Sequence, residues 1–155
     1  MKNSKLDCRS NISGQGLVIV IIVVALIGFG AWYLYSNKRA MENDARAFGK
    51  EAVERLAVNH DANFFSERIG PQARYDYPPS QQQYIMSKFQ ELGVPVQPIA
   101  IEGTVAFESH FFQPKGYFLA HLNYPARPAT LEVDISHPAS RWQLDSVKLN
   151  YSTGQ

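Results

Sequence analysis

The side chains able to do chemistry in this chain are four histidines, one cysteine and a scatter of carboxylates. His60 stands beside Asp61, the pairing an acid–base site would use. Adjacent residues at a helix end diverge, however, and an aspartate there is better explained as an N-cap. His110 and His137 fall next to expected turns, where solvation accounts for them. Only His121 is expected on a buried face, near Phe107 and Val133, and burial favours its neutral form. No two histidines keep an H-x-x-x-H spacing, and no Ser, His and Asp share a recognisable catalytic context. Glu102, Glu108, Glu132 and Asp134 take the outward parity of strands, the ordinary place for solvated acids. Cys8, the single cysteine, offers neither a disulfide framework nor a cysteine metal site. It precedes the long apolar run, whereas a lipoprotein cysteine follows one. It reads as an inert thiol, with juxtamembrane lipid attachment as the alternative. The expectation is a chain without catalytic, cofactor-binding or metal-ligating residues, and not an enzyme.

The element that organises the rest is Leu17 to Tyr35, LVIVIIVVALIGFGAWYLY, with no charge anywhere between Arg9 and Lys38. At about 1.5 Å per residue, nineteen helical residues span roughly 28 Å, close to the hydrocarbon thickness of a bilayer. A helix is the only single segment that satisfies its own backbone in lipid. Trp32, Tyr33 and Tyr35 gather at one end, where amphipathic rings favour the headgroup level. Residues 17–35 are therefore expected to cross the lipid bilayer as one helix, preceded by a short basic cytoplasmic tail, 1–16. Lys2, Lys5 and Arg9 before the run nearly balance Lys38, Arg39, Arg46 and Lys50 after it. A short basic tail before a first hydrophobic segment usually stays in the cytoplasm, which places the following domain in the periplasm of a bacterial inner membrane.

Residues 36–155 form about 120 residues of ordinary composition, enough for one soluble domain. From Lys38 onward twelve basic residues face thirteen acidic ones, so no basic field exists to hold a phosphate backbone, and nucleic acid is excluded as a partner. The spacing of Met41, Ala45, Phe48, Ala52 and Leu56 extends the first helix as an amphipathic one. Asp61 is expected to cap a short turn carrying Phe64, Phe65 and Ile69, closed by Gly70-Pro71. Tyr75 to Pro79 reads as extended loop. Ser80 with Gln83 matches a capping box opening a helix that ends at Leu92.

From Pro98 the period becomes two. Ile99, Ile101, Val105 and Phe107 open a four-stranded antiparallel meander. A turn is expected at Gln113-Pro114-Lys115-Gly116, followed by strands Tyr117–Tyr124, Ala129–Ile135 and Arg141–Tyr151. In the last strand Trp142 and Leu144 differ in parity from Val147, Leu149 and Tyr151, which calls for a β-bulge near Asp145-Ser146. A hairpin centred on Pro138-Ala139 pairs Ile135 with Trp142 and Val133 with Leu144. The fold class is α+β, with helices covering one face of the sheet.

The second strand is apolar on both faces. With Tyr117, Leu119 and His121 assigned to the core, Phe118, Ala120, Leu122 and Tyr124 point outward and call for a cover. That face is the expected interaction surface for a protein partner or a second copy, in the assembly of a membrane complex. Cover by the chain's own segment from Phe64 to Tyr77 is the other option. A third reading is a small-ligand or enzymatic pocket near His121, Phe107 and Trp142.

Two resemblances bear on these readings. The order of elements from Met41 to Tyr151 resembles the cone-shaped α+β domains of the nuclear-transport-factor-2-like and cystatin-like group. The shared features are a long first helix, a second helix ending in Leu92-Gly93-Val94-Pro95, and a meander ending in Arg141-Trp142-Gln143-Leu144. Membrane-anchored members of similar layout include cytochrome oxidase assembly factors and bacterial periplasmic domains. The group holds enzymes, pocket binders and scaffolds, so the resemblance transfers no site residue. The segment Val23 to Ala31, VVALIGFGA, resembles the stem of type IV pilins and pseudopilins. A basic leader ends in Gly14 where their leader peptidase would cut, while Ile19 stands where that family usually carries a glutamate. A pilin-like subunit is the function this second resemblance implies.

Overall fold

The computed structural model describes residues 12–109, 112–138 and 141–151. The basic tail with Lys2, Lys5, Arg9 and Cys8, and also His110, lies outside the described residues. The chain divides into two compact units, Met1–Asn37 and Lys38–Gln155.

Helix α1 (Ile12–Ala57) runs through both. Its apolar stretch is long and apolar enough to cross a membrane. From Leu17 to Tyr35 nearly every side chain is exposed, and β-branched Val18 to Val24 adopt a helix rather than a strand. From Ala45 onward the same helix becomes one-sided. Ala45, Phe48, Ala52, Val53 and Leu56 are buried, at the spacing that gathers residues onto one stripe. The opposite side carries the i,i+4 ion pairs Glu42–Arg46 (2.9 Å) and Glu51–Arg55 (3.6 Å), each contributing a few tenths of a kcal/mol.

Asp61 caps α2 (Ala62–Arg68), its carboxylate accepting from the Phe64 N–H at 3.0 Å. The segment expected to be an extended loop begins instead as a one-turn helix, α3 (Ala73–Asp76). Helix α4 (Pro79–Leu92) starts one residue before Ser80, with Pro79 in its first turn and no side-chain cap, so the expected capping box does not form. Proline has no N–H to satisfy there and its φ already suits a helix. Gln82 donates to the Tyr77 carbonyl at 2.8 Å. Gly93, at φ 83°, ends the helix in a conformation that favours glycine.

The sheet is a meander, β1 (Ala100–Ser109), β2 (Phe112–Asn123), β3 (Pro128–Ser136) and β4 (Gln143–Tyr151), in the order β1-β2-β3-β4. A bulge sits where it is expected, with Asp134 opposite Ser146 and Ile135 opposite Leu144, leaving Asp145 as the extra residue. The register of that hairpin is two residues away from the expected one: Val133 meets Val147 and Leu131 meets Leu149. The connection is longer than a two-residue turn on Pro138-Ala139, and Trp142 precedes the strand.

The face of β2 is the main correction. Ser109 pairs with Phe112 and Phe107 with Pro114, so the chain reverses before Gln113 and Pro114 lies inside the strand, fully buried. Paired residues share a face, and odd-numbered residues of β1 stand opposite even-numbered ones of β2 (Phe107 opposite Pro114, Val105 opposite Gly116), so the core face of β1 continues onto the even parity of β2. Phe118, Ala120, Leu122 and Tyr124 are thus interior, between 0 and 5 % exposed, beside Ile101 and Val105 on β1 and Leu131 and Val133 on β3. Phe118 is seated among three glycines. A Cβ at Gly49 of α1 would stand 2.5 Å from its ring, one at Gly116 2.7 Å, and one at Gly103, directly opposite, would also overlap it. The ring fits between helix and sheet because these positions carry no side chain.

Candidate functional site

The residues expected to form an interaction face are the centre of the core, so no surface is made from Phe118, Ala120, Leu122 and Tyr124. The expected pocket does not assemble either. His121 is exposed on the outer side of β2, paired with Ala100 and Thr130, whereas Phe107 is paired with Pro114 at the far end of the sheet and half-buried on the inner side. Trp142 stacks on Phe48, with ring centroids 6.1 Å apart, and meets the His137 ring at 4.6 Å. His60 places Nε2 3.2 Å from the Gly93 carbonyl and so links the ends of α1 and α4. The cap N–H of Phe64 holds the Asp61 carboxyl below the ordinary value, helped by Arg55, whose Nη1 lies 2.9 Å from it. These contacts are structural. Among the described residues, no group of three His, Cys, Asp or Glu side chains could hold a metal ion.

Both outer strands of the sheet, β1 and β4, leave an edge, and the one that runs beside a groove is β4. As the last strand it has β3 on one side and must satisfy its other side differently. Residues 69–77 do so for its first half. Ile69 bridges Leu144, the Gly70 N–H donates to the Leu144 carbonyl at 2.8 Å, and the Val147 N–H donates to the Tyr77 phenol at 3.2 Å. Main-chain groups on an antiparallel strand alternate sides. If Leu144 and Val147 face outward across the bulge, Leu149 and Tyr151 do too. No backbone hydrogen bond crosses from them to another element on that side, among the described residues.

Alongside runs a groove of about 530 Å³, walled by Gln81, Tyr84, Ile85 and Lys88 of α4 and by β4 from Val147 to Tyr151. Tyr84 is 54 % exposed, while Ile85 is buried and forms the floor. Two lysines, Lys88 and Lys148, line the groove, and no carboxylate lines it among the described residues. Lys88 reaches Glu91 at 2.7 Å, which raises its pKa; Arg127 lies over the Tyr151 ring, 4.8 Å from its centroid. The groove offers main-chain donors and acceptors two residues apart, with an aromatic and aliphatic wall and a positive end. The signal for it in the sequence is the row Gln81, Tyr84, Lys88, spaced by three and four beside the buried stripe Ile85, Phe89, Leu92.

A cleft of about 730 Å³ lies elsewhere, lined by Arg68, Arg74 and Arg141 together with Glu67, Glu108 and Asp145. Its charges are mixed, Arg141 donates to the Glu67 carbonyl, and Arg68 lies over Phe48. The outer sheet face mixes Tyr117 and His121 with Glu102, Glu132 and Lys148, the ordinary make-up of a solvated face. Compared with known protein families, curated proteins and solved structures, the chain finds no match.

Proposed function

We propose that this chain is a non-enzymatic, single-pass protein of the bacterial inner membrane. In this reading residues 17–35 are its anchor, and its periplasmic α+β unit docks another protein in the assembly of a membrane complex. The docking place is the groove between α4 and β4. One observation supports this above the rest: residues 69–77 cover the β4 edge as far as Val147 and leave Leu149 and Tyr151 beside an aromatic-walled groove. Main-chain groups left to water in such a groove are a template for another chain.

The test is site-specific photocrosslinking of the full-length protein in native membranes. A benzoylphenylalanine replacing Tyr84 should yield a discrete crosslinked product, and one replacing Tyr117 on the outer sheet face should not. A product from Tyr117 alone would move the docking surface to the other face. No product from either position would count against docking altogether. A reporter enzyme active only in the periplasm, fused after residue 155, should be active; an inactive fusion overturns the compartment.

A further inference from the structure

We infer that the partner contributes an extended, acidic segment that adds to the open half of β4 as a fifth strand, an inference that rests on the docking reading above. Three features of the groove point to this occupant. The first is the state of the edge itself. Tyr77 already supplies, through its phenol, the acceptor that a neighbouring strand would offer to the Val147 N–H. Beyond it the outward groups of Leu149 and Tyr151 are spaced for a strand, about 6.6 Å apart. A helix laid in the groove would satisfy its own backbone and leave theirs to water; an extended chain satisfies both.

The second feature is charge. Lys88 and Lys148 line the groove, and Glu91, the nearest acid to Lys88, is shared with Arg127 at 3.8 Å. Lys148 stands opposite Glu132 on β3, so each lysine has one acid beside it. No carboxylate lines the groove itself among the described residues, and a carboxylate in the incoming segment meets the two ammonium groups there. The third is what the edge disfavours. A second copy pairing Leu149 with Leu149 in antiparallel sense would set Lys148 opposite Asn150 and diagonal to the Lys148 of that copy, within reach of its long side chain, where like charges repel. A lysine on an edge strand guards against self-association, and the same charge selects an acidic partner. Side chains of the added segment that turn inward would pack on Tyr84 and Ile85, so the best segment alternates apolar and acidic residues.

The test uses the full-length ¹⁵N-labelled protein in detergent micelles and two synthetic decapeptides, valine and threonine alternating with glutamate or with lysine. The glutamate peptide is expected to bind about tenfold tighter. It should slow amide exchange at Leu149 and Tyr151 while leaving Lys148 and Asn150, whose groups face β3, unchanged. Lys88→Glu combined with Lys148→Glu should reverse the preference. Equal binding of the two peptides, no binding of either, or binding without protection of Leu149 and Tyr151 overturns the inference. A crosslink from Tyr84 in membranes together with any of these failures leaves docking standing and removes only the strand-addition mode. Absence of both overturns both.

Discussion

The two faces of β2 use the same ten or so residues for opposite purposes. On the even-numbered side Phe118, Ala120 and Leu122 are buried, Phe118 under Gly49 of α1, and even the glycines Gly103 and Gly116 are needed, because the Phe118 ring occupies the space their side chains would take. On the odd-numbered side Tyr117 is 42 % exposed and His121 lies in the open. Both sides carry large apolar or aromatic groups, so hydrophobicity alone does not separate them. What separates them is complementarity: a ring that fits among three glycines is interior, and a ring beside Thr104 and Asp134 is not.

The contrast is broken most forcefully at Phe118. Phe118→Ala should cost about 3–5 kcal/mol of stability, through lost transfer energy and the cavity left under Gly49. Tyr117→Ala, one residue away, should cost less than about 1 kcal/mol. Denaturant unfolding of the detergent-solubilised chain, followed by Trp142 fluorescence, measures both. Equal losses would mean that the faces are not distinct.

This pair of positions also marks how far the sequence can be read. The buried stripe of α1 is legible because a 3.6-residue period needs no knowledge of what the helix packs against. The bulge at Asp145 is legible because the apolar parity changes between Leu144 and Val147. The face of β2 is not, since apolar residues stand on both parities and a one-residue slip leaves the pattern looking equally good. Pro114 and Gly116 carry turn chemistry, yet Pro114 is buried opposite Phe107 and Gly116 makes room for a ring. The pair Gly103 and Gly116, small residues that admit a large one, is the feature of the sequence that marks the inner face. The α4–β4 groove was less legible still, because an open edge is defined by what residues 69–77 cover and where they stop.

The next effect tests complementarity directly. Gly103→Ala places a methyl group against the Phe118 ring and should cost about 1–3 kcal/mol through overpacking. In a Phe118→Ala background the same substitution should cost much less, since the ring it meets is gone. A double-mutant cycle measures that coupling, and additive costs would show that Gly103 matters for another reason.

A smaller effect, of opposite sign, is expected at Tyr124 on the inner side. Its hydroxyl is buried without a hydrogen-bond partner among the described residues, and burial pushes its pKa up to about 12. Tyr124→Phe removes an unsatisfied group at nearly constant shape and should raise stability by about 1 kcal/mol. The raised pKa adds a pH signature. Above its ordinary value of 10 the unfolded chain releases this proton more readily than the folded one, so stability falls as pH rises from 10 towards 12. The phenylalanine variant should lose that share of the alkaline slope, and an unchanged slope would place the phenol in water.

The smallest effect belongs to the outer side. Asp134 faces solvent on β3, and partial burial holds its carboxyl above the ordinary 3.8, with Asp145 and Glu132 adding to the shift and Lys148 and Ser146 opposing it. A carboxyl with a raised folded pKa keeps its proton longer in the folded state than in the unfolded one. Stability therefore declines as pH rises from about 3.8 through the folded pKa, and the penalty is complete above it. Asp134→Asn removes the charge and should make the protein slightly more stable near neutral pH, by no more than the roughly 0.5 kcal/mol typical of surface positions. The gain should vanish in acid, where Asp134 is protonated in both states. Thermal melts of both proteins between pH 3 and 7 read this difference. A gain that persists in acid, or a loss at neutral pH, would mean that the ionised carboxylate is stabilised by Lys148 and Ser146 more than burial disfavours it. The outer face would then be a paired polar layer rather than a solvated one.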